Sequence, residues 1–230
     1  MDENLLREKS QYDNRGKVQT VILANGKFPT SEFALSYFYG ASYLVCCDGA
    51  VLSALEHGRV PDYIVGDMDS TPIELQSQLA NRIVRYEEQE TNDLTKAFNF
   101  CREKGLIESV VILGATGKRE DHTLGNLARL VDFAMEIEDI TLVTDEGYFI
   151  TALHPGDFDS QPGRQISIFS FDPDQKISSK GLKYPLDNLT LPRWYVATLN
   201  EALDARFSLE FDPNLSPLLL FFANEKKNAS

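Results

Sequence analysis

The stretch Asp62-Tyr63-Ile64-Val65-Gly66-Asp67-Met68-Asp69-Ser70 is the starting point for interpreting the whole chain. Its apolar residues predict a short buried strand that ends at Gly66, and two aspartates one residue apart follow in the turn. Turns after strands are where α/β proteins place their chemistry. Two neighbouring carboxylates repel each other unless a cation lies between them, and Mg²⁺ prefers carboxylate oxygen. The stretch therefore indicates a metal site for phosphate chemistry; the alternative is a polar turn in which Asp67 caps the next helix.

The composition is that of a globular protein with one large domain or two modest ones. The chain has 230 residues, of which 43% are hydrophobic and 25% are charged. Its net charge of −13 argues against nucleic acid or an anionic membrane as the main partner. The three cysteines form neither a disulfide framework nor a zinc spacing, so we expect a cytoplasmic protein. We expect no signal peptide in the polar stretch 1–17 and no membrane helix, since no apolar run approaches the required length of roughly 20 residues.

Residues up to 146 alternate between strand and helix patterns. The predicted strands are continuously apolar, which is typical of a mostly parallel sheet covered by helices on both faces. We predict that Thr71 caps a helix with Pro72 in its first position, and that a longer helix covers about 123–137. The predicted strands are 19–24, 43–47, 63–65, 83–86, 109–113 and 140–144.

The pattern changes near residue 147. Helical periodicity disappears, and short β-type runs between turn clusters such as 155–157 predict an antiparallel β domain, sandwich-like or barrel-like. We therefore predict an N-terminal extension at 1–17, an α/β domain at 18–146, a β domain at 147–223 and a tail at 224–230. The predicted β runs are 148–152, 165–171, 181–186, 194–198, 205–211 and 218–222.

Acidic turns follow several of the predicted strands. Asp48 follows the second strand, Asp67 and Asp69 follow the third, and Asp93 opens the helix after the fourth. In a parallel sheet these strand ends lie along one edge, so residues that are distant in sequence converge there. Asp93 also has a structural alternative, because Asn92 or Asp93 can cap the helix that follows.

The turn at 114–119, after the fifth strand, is rich in backbone N–H groups and carries Lys118 and Arg119. Such a turn before a helix suits phosphate binding, although its spacing is neither that of a Walker A loop nor that of a dinucleotide fingerprint. The alternative is a strand-to-helix turn with two solvated cations. We interpret His122, at the start of the following helix, as a positioning group rather than a base.

Five motifs, which occur in order between about residues 20 and 222, resemble those of the thiamine pyrophosphokinase family. One departure concerns Leu199-Asn200, where the family commonly has Ser-Asn. The motifs are Cys47-Asp48-Gly49-Ala50, Gly66-Asp67-Met68-Asp69-Ser70, the segment from Gln89 to Ala97, the segment from Gly114 to His122, and Ser179-Lys180-Gly181-Leu182-Lys183-Tyr184-Pro185-Leu186.

The resemblance implies an enzyme that transfers pyrophosphate from ATP to the thiamine hydroxyl, giving thiamine diphosphate and AMP. It also implies a homodimer that binds thiamine between subunits, with a catalytic α/β domain and a thiamine-binding β domain. Mg²⁺ would be the cofactor, held by the catalytic residues Asp67, Asp69 and Asp93. Thiamine would contact Gln89, Tyr184 and Asn200. The nucleotide site would comprise Asp48, Asn92, Gly114, Thr116, Gly117, Lys118, Arg119, Asp121 and His122.

Two other functions are compatible with the same residues. A strand that ends in Asp-x-Asp-x-Ser/Thr also marks phosphatases of the haloacid dehalogenase type, whose first aspartate, here Asp67, is the nucleophile. That signature normally follows the first strand of its domain, whereas here it follows the third. The remaining alternative is a non-catalytic nucleotide or thiamine sensor, which would bind its ligand without turnover.

Overall fold

The computed structural model of the chain describes residues 19–88 and 90–226. The extension predicted at 1–17, Gln89 and the last four residues of the predicted tail lie outside the described residues. The described strands form one ten-stranded sheet and one four-stranded sheet.

Six strands and five α-helices occur among the described residues up to 146. The strands pair in parallel, as predicted from their continuously apolar sequences. The strands are β1 (Gln19–Leu23), β2 (Tyr43–Cys47), β3 (Tyr63–Gly66), β4 (Ile83–Arg85), β5 (Ser109–Leu113) and β6 (Ile140–Val143). The helices are α1 (Glu32–Gly40), α2 (Ala50–Glu56), α3 (Ile73–Gln78), α4 (Asp93–Glu103) and α5 (Glu120–Ala134). Within the described ranges, no helix is long and apolar enough to cross a membrane.

The core lies on both faces of the parallel sheet. Successive side chains of a strand point to opposite faces, so Val21 and Leu23 enter one hydrophobic cluster whereas Ile22 enters the other. The second cluster contains Phe98 of α4 and Phe133 of α5, whose rings stack with centroids 4.0 Å apart. This double burial explains why the strands lack an alternating polar face.

The eight remaining strands are antiparallel, and four of them extend the larger sheet. β7 pairs antiparallel with β6, so the change in sequence pattern at 147 coincides with a reversal of strand direction within a continuous sheet. The smaller sheet packs on this extension, with the rings of Phe207 and Phe222 6.0 Å apart. The strands are β7 (Gly147–Ala152), β8 (Gly156–Asp159), β9 (Arg164–Ser170), β10 (Lys176–Lys180), β11 (Leu189–Thr190), β12 (Ala197–Glu201), β13 (Arg206–Glu210) and β14 (Leu218–Lys226). In the larger sheet the order is β12-β9-β14-β7-β6-β5-β1-β2-β3-β4, and in the smaller it is β11-β10-β13-β8.

Several local predictions are wrong. Thr71 does not cap α3, because its hydroxyl donates a hydrogen bond to Asp48 and Pro72 occupies the cap position. The helix predicted at 123–137 is α5, which begins and ends three residues earlier.

The errors in the β part lie where strands meet turns. Some residues predicted to form a strand lie in a loop, and some predicted to form a turn lie in a strand. The run 181–186 is a loop that follows β10, and the cluster at 155–157 runs into β8 instead of remaining a turn. The run 194–198 includes only the first two residues of β12.

Candidate active site

Asp48, Asp67 and Asp69 bring a carboxylate oxygen each to within 4.8 Å of one another. Asp48 follows β2, whereas the other two follow β3, and these neighbouring parallel strands end at the same edge of the sheet. Asp48 and Met68 have positive φ angles of 32° and 71°, and both bend the chain sharply after the strand. We refer to Asp48, Asp67 and Asp69 as the carboxylate wall. Its oxygen donors suit a hard divalent cation such as Mg²⁺.

The innermost member of the carboxylate wall is fixed by hydrogen bonds. Asp48 is 1% exposed, and its two oxygens accept bonds from the Ser70 amide at 2.8 Å and the Thr71 hydroxyl at 2.6 Å. Asp67 accepts a bond from the amide of Asp69 at 3.3 Å, and Asp69 accepts one from the Ser70 hydroxyl at 2.9 Å. The turn after β3 therefore holds the side chain of Asp48, which follows β2, and it also orients its own two aspartates.

Gly66 leaves room for the carboxylates to approach one another. A Cβ atom at this position would lie 2.9 Å from the Cβ of Asp48 and 3.3 Å from Oδ1 of Asp93. The first distance is shorter than real Cβ contacts allow, so a side chain here would displace Asp48. The glycine at the end of β3 therefore has a packing reason in addition to its place in the turn.

Asp93 is the first residue of α4 and lies beside the carboxylate wall without belonging to the group of three. Burial raises the pKa of Asp93, the nearby charge of Lys96 lowers it, and the charges of Asp48 and Asp67 raise it. Asn92 caps α4, since its side-chain oxygen accepts a bond from the Thr95 amide at 2.9 Å. Asp93 is therefore not needed as the cap, and its carboxylate remains half-buried at the sheet edge.

Opposite the carboxylate wall lies the cationic turn, which we define as residues 114–119 after β5. Gly114 and Gly117 have positive φ angles of 65° and 87°, which glycine adopts without strain. The amide of Gly26 donates to the carbonyl of Gly114 at 2.6 Å, so the turn after β1 supports the cationic turn. The ammonium of Lys118 donates to the side-chain oxygen of Asn25 at 3.1 Å, which ties the same two turns together.

Arg119 and Asp121 form an exposed two-point ion pair. Two guanidinium nitrogens of Arg119 donate to the two oxygens of Asp121 at 3.1 and 2.5 Å. These bonds, together with the His122 amide, lower the pKa of Asp121 to about 2. Because both side chains are more than 60% exposed, this pair orients Arg119 without fixing it rigidly.

A cavity of about 430 Å³ lies between the carboxylate wall and the cationic turn. It brings together eight of the residues predicted from the sequence: Asp67, Asp69, Asn92, Asp93, Thr116, Lys118, Arg119 and His122. Asp48 lies beneath this surface, and Asp121 is reached through Arg119. Gly114 and Gly117 line a neighbouring cavity of about 330 Å³, which shares Thr116 with the first.

Asn25, Lys96 and Asn126 are among the polar residues of the cavity that sequence reasoning missed. The Asn126 side chain donates to the carbonyl of Ala115 at 2.8 Å and accepts from Nδ2 of the Asn92 side chain at 3.1 Å, so it connects both sides of the cavity. Asn25 follows β1 and could have been found by the same strand-end argument that selected Asp48. Lys96 carries a weaker signal, namely its position one helical turn after Asp93.

Tyr184 and Asn200 contact each other in the β part and do not line this cavity. The Asn200 side chain is 3% exposed; it accepts from the Tyr184 amide at 3.1 Å and donates to the Tyr184 carbonyl at 2.7 Å. Tyr184 itself is 59% exposed. Asn200 therefore fixes the backbone of the loop that presents the tyrosine ring to solvent. Gln89, the third residue expected to contact thiamine, lies outside the described residues.

Comparison with protein families gives two consecutive matches. The family described as thiamin pyrophosphokinase, catalytic domain, matches residues 34–144. The family described as thiamin pyrophosphokinase, substrate-binding domain, matches residues 147–215. The resemblance inferred from five short motifs is thereby confirmed.

Individual relatives and solved structures agree with these matches. Thiamin pyrophosphokinase 1 of Caenorhabditis elegans is 28% identical over 211 residues, which cover 84% of this chain and 86% of the relative. Thiamine pyrophosphokinase of Bacillus subtilis is 27% identical over 173 residues, which cover 71% of this chain and 80% of the relative. The structure of yeast thiamin pyrophosphokinase superposes with a TM-score of 0.76 at 14% identity, covering 94% of this chain and 89% of that one. The structure of a thiamin pyrophosphokinase family protein from Enterococcus faecalis superposes with a TM-score of 0.74 at 22% identity, covering 90% of this chain and 100% of that one. These structures confirm the predicted fold class, an α/β part followed by a β-rich part.

Proposed function

Because the chain belongs to the thiamin pyrophosphokinase family, we propose that it transfers the pyrophosphoryl group of ATP to the hydroxyl of thiamine. The products are thiamine diphosphate and AMP. The observation that supports this most is the placement of the carboxylate wall opposite the cationic turn, across a cavity of about 430 Å³. Transfer of phosphoryl-type groups needs alignment and charge stabilisation, and this pairing of charges supplies both.

The carboxylates are proposed as the metal site. Asp67 and Asp69 at the end of β3 and Asp93 at the start of α4 would hold Mg²⁺, and buried Asp48 would contribute from below. A bound ion would neutralise polyphosphate charge and leave the β-phosphorus open to attack. Hydrogen bonds from Ser70 and Thr71 keep Asp48 oriented throughout.

The cationic turn is proposed to hold the phosphates of the nucleotide. Lys118 and Arg119 exchange their present partners, Asn25 and Asp121, for phosphate oxygens, and the amides of the glycine turn add further donors. Asn92, Thr116 and His122 line the same cavity and complete the nucleotide site. His122 has a positioning role here, at the exposed first turn of α5.

The β part, 147–223, is proposed to bind thiamine, and 18–146 to carry out catalysis. The exposed ring of Tyr184 offers a flat face to the positively charged thiazolium, and Asn200 fixes the loop that carries it. Since neither residue lines the cavity of its own chain, a homodimer in which the ring faces the partner's substrate accounts for their placement. The three cysteines are free and buried, which supports action in the reducing cytoplasm.

The reaction balances without any redox step. The hydroxyl oxygen of thiamine forms a bond to the β-phosphorus of ATP, and the bond from that phosphorus to the α–β bridging oxygen breaks. The bridging oxygen leaves with AMP, and the hydroxyl proton is released to solvent. This chain's contribution is to bind, align and neutralise the reactants.

The direct test is incubation of the purified protein with ATP, Mg²⁺ and thiamine, followed by separation of AMP from ADP. Thiamine-dependent formation of AMP supports the proposal, whereas ADP would indicate an ordinary kinase. A phosphoryl group trapped on Asp67 would indicate a phosphatase of the haloacid dehalogenase type, and calorimetric binding without turnover would indicate a sensor. The family matches favour neither of these alternatives.

A further inference from the structure

Lys96 is a buried cation in the wall of the active-site cavity, and the mechanism above does not use it. Its side chain is 3% exposed, and it lies in the first turns of α4 among other buried residues of that helix. It nevertheless lines the cavity that also contains Asp67 and Asp93. A lysine is almost never buried to this degree without a partner, so its position requires an explanation.

The ion pair with Asp93 accounts only in part for the buried position of Lys96. The Lys96 ammonium lies 3.5 Å from Oδ1 of Asp93, which is longer than the 2.7–2.9 Å typical of a strong charge-assisted hydrogen bond. Lys96 is one turn after Asp93, and long side chains on a helix lean toward its N-terminus. The ammonium is therefore directed toward the sheet edge at which the carboxylate wall ends. An ammonium has three donors, and the one long ion pair that Lys96 makes among the described residues does not use them fully.

The two other cations of the cavity differ from Lys96. Arg119 is 69% exposed and forms a two-point pair with Asp121, and Lys118 donates to Asn25 from an exposed position. Both would have to exchange these partners for phosphate oxygens in order to bind a nucleotide. Lys96 is already desolvated and held by its helix, on the same side of the cavity as the carboxylates that would hold the metal ion. A preorganised, desolvated donor of this kind stabilises developing charge more strongly than a solvated one.

We propose that Lys96 is a catalytic residue that donates hydrogen bonds to the non-bridging oxygens of the pyrophosphoryl group while it is transferred; this rests on the proposed function. As the thiamine oxygen bonds to the β-phosphorus and the bond to the bridging oxygen breaks, Lys96 remains an ammonium and gains contacts with the moving group. The hydroxyl proton leaves to solvent, so Lys96 neither gives nor takes a proton.

The competing role is purely structural, in which Lys96 only holds Asp93 in place. The two roles differ in their dependence on metal concentration. If Lys96 only positions Asp93, its loss weakens metal binding, and a higher Mg²⁺ concentration restores the rate. If it contacts the group in transfer, the rate stays low when Mg²⁺ is saturating.

The experiment compares Lys96→Met, Lys96→Arg and the control Lys104→Met, which removes an exposed lysine from the end of the same helix. We expect Lys96→Met to lower kcat about 10²- to 10³-fold at saturating Mg²⁺, as removal of one preorganised donor does in other enzymes. The Mg²⁺ concentration for half-maximal rate should stay within about threefold of wild type, and Lys104→Met should keep wild-type kcat. Lys96→Arg should retain at least about tenfold more activity than Lys96→Met, because it keeps a charged donor.

A second measurement uses the unmodified protein and so does not depend on whether a variant folds. An acyl-phosphate derivative of ATP transfers its acyl group to a lysine amine near the terminal phosphate, and ATP leaves as the acyl–phosphate bond breaks. Mass spectrometry of the digested protein should identify Lys96 as acylated, and excess ATP should suppress that labelling. Lys104 should remain unmodified under the same conditions.

Three results would overturn the proposal. They are a kcat of Lys96→Met within about threefold of wild type, full recovery of its rate at high Mg²⁺, or acylation of Lys118 with none at Lys96. Failure of the proposed function is recognised separately, because the wild-type protein would then form no AMP from ATP and thiamine. If the wild type forms AMP and any of the three results is obtained, only the role of Lys96 is rejected.

Discussion

The carboxylate wall and the cationic turn face each other across one cavity but are built in different ways. Asp48 is buried on a strand end and accepts two hydrogen bonds from the neighbouring strand turn. Lys118 and Arg119 are solvated on a glycine turn, and each contacts a polar partner that a phosphate could replace.

A site with this construction can be stable before any charged ligand binds. Carboxylates that repel one another have to be held by buried contacts, because nothing else keeps them together before the ion arrives. Cations that face water need no such support, since solvent and local acceptors satisfy them until the phosphates bind. We therefore expect substitutions in the carboxylate wall to remove catalysis, and substitutions in the cationic turn to weaken nucleotide binding in a graded manner.

The largest expected effect comes from the carboxylate wall. Asp67→Asn and Asp69→Asn should each lower kcat by about 10³-fold or more, because an amide cannot supply the negative charge that the ion requires. Glu74→Gln, which removes an exposed acid from the first turn of α3, is the matched control and should behave as wild type. The measurement is thiamine-dependent AMP formation at saturating substrates, and a rate for Asp67→Asn equal to that of the control would reject the metal assignment.

The next effect tests the cationic turn. Arg119→Ala should lower kcat/KM for ATP about 10- to 100-fold, the range expected for loss of hydrogen bonds to a charged group. Most of the change should appear in KM, since the guanidinium binds substrate and transition state alike. Arg129→Ala on the exposed face of α5, which breaks an ion pair with Asp132, is the control. An equal loss in both variants would mean that Arg119 acts through general charge rather than through phosphate contact.

A smaller effect is expected in the β part, away from the carboxylate wall and the cationic turn. Tyr184→Ala should raise KM for thiamine about tenfold, the size of a cation–π contact of 1–2 kcal/mol, while KM for ATP changes little. Tyr184→Phe retains the ring and should stay close to wild type. Steady-state kinetics with each substrate varied in turn measures this, and a change in KM for ATP alone would place Tyr184 in the nucleotide site instead.

The smallest effect concerns stability, and its sign follows from the raised pKa of Asp93. Between the unfolded and the higher folded pKa the native state binds more protons, so the charged carboxylate lowers the free energy of unfolding at neutral pH. Asp93→Asn should remove this pH dependence, so the Tm of the metal-free wild type relative to that of the variant should rise as the pH falls from 7 through the folded pKa of Asp93. The change in this difference should stay below the roughly 2–4 °C that 1 kcal/mol produces in a chain of this size. A difference that stays constant or falls over the same pH range would contradict the raised pKa of Asp93.

Much of the active-site cavity could be predicted because a parallel sheet converts strand ends into neighbours. The aspartates after β2 and β3 were found by that rule, although the sequence did not indicate that Asp48 lies beneath the surface and is held by Thr71. Thr71 precedes a proline and so has the local pattern of a helix cap. Its hydroxyl instead donates a hydrogen bond to Asp48, which is 23 residues away in the sequence. Lys96 was missed for a similar reason, since its burial depends on how α4 packs on the sheet.

The sequence predicted that the β part consists of antiparallel strands, but it did not predict how those strands pair. No local pattern indicates that β7 pairs antiparallel with β6 and so continues the first sheet, because register and partner choice are non-local. The loop at 181–186 has the apolar and aromatic residues of a strand. Its backbone is instead held by Asn200, while Leu182 makes one isolated bridge to Ala202.

Titration with Mn²⁺ tests directly whether the carboxylate wall binds a divalent ion. The electron paramagnetic resonance signal of free Mn²⁺ disappears on binding and reports the affinity of wild type and Asp69→Asn under identical conditions. We expect one ion per chain in the wild type and an affinity at least about tenfold lower in the variant, corresponding to the loss of one charged ligand. Equal affinities for the two proteins, or no binding by the wild type, would contradict the proposal that the carboxylate wall binds a divalent ion.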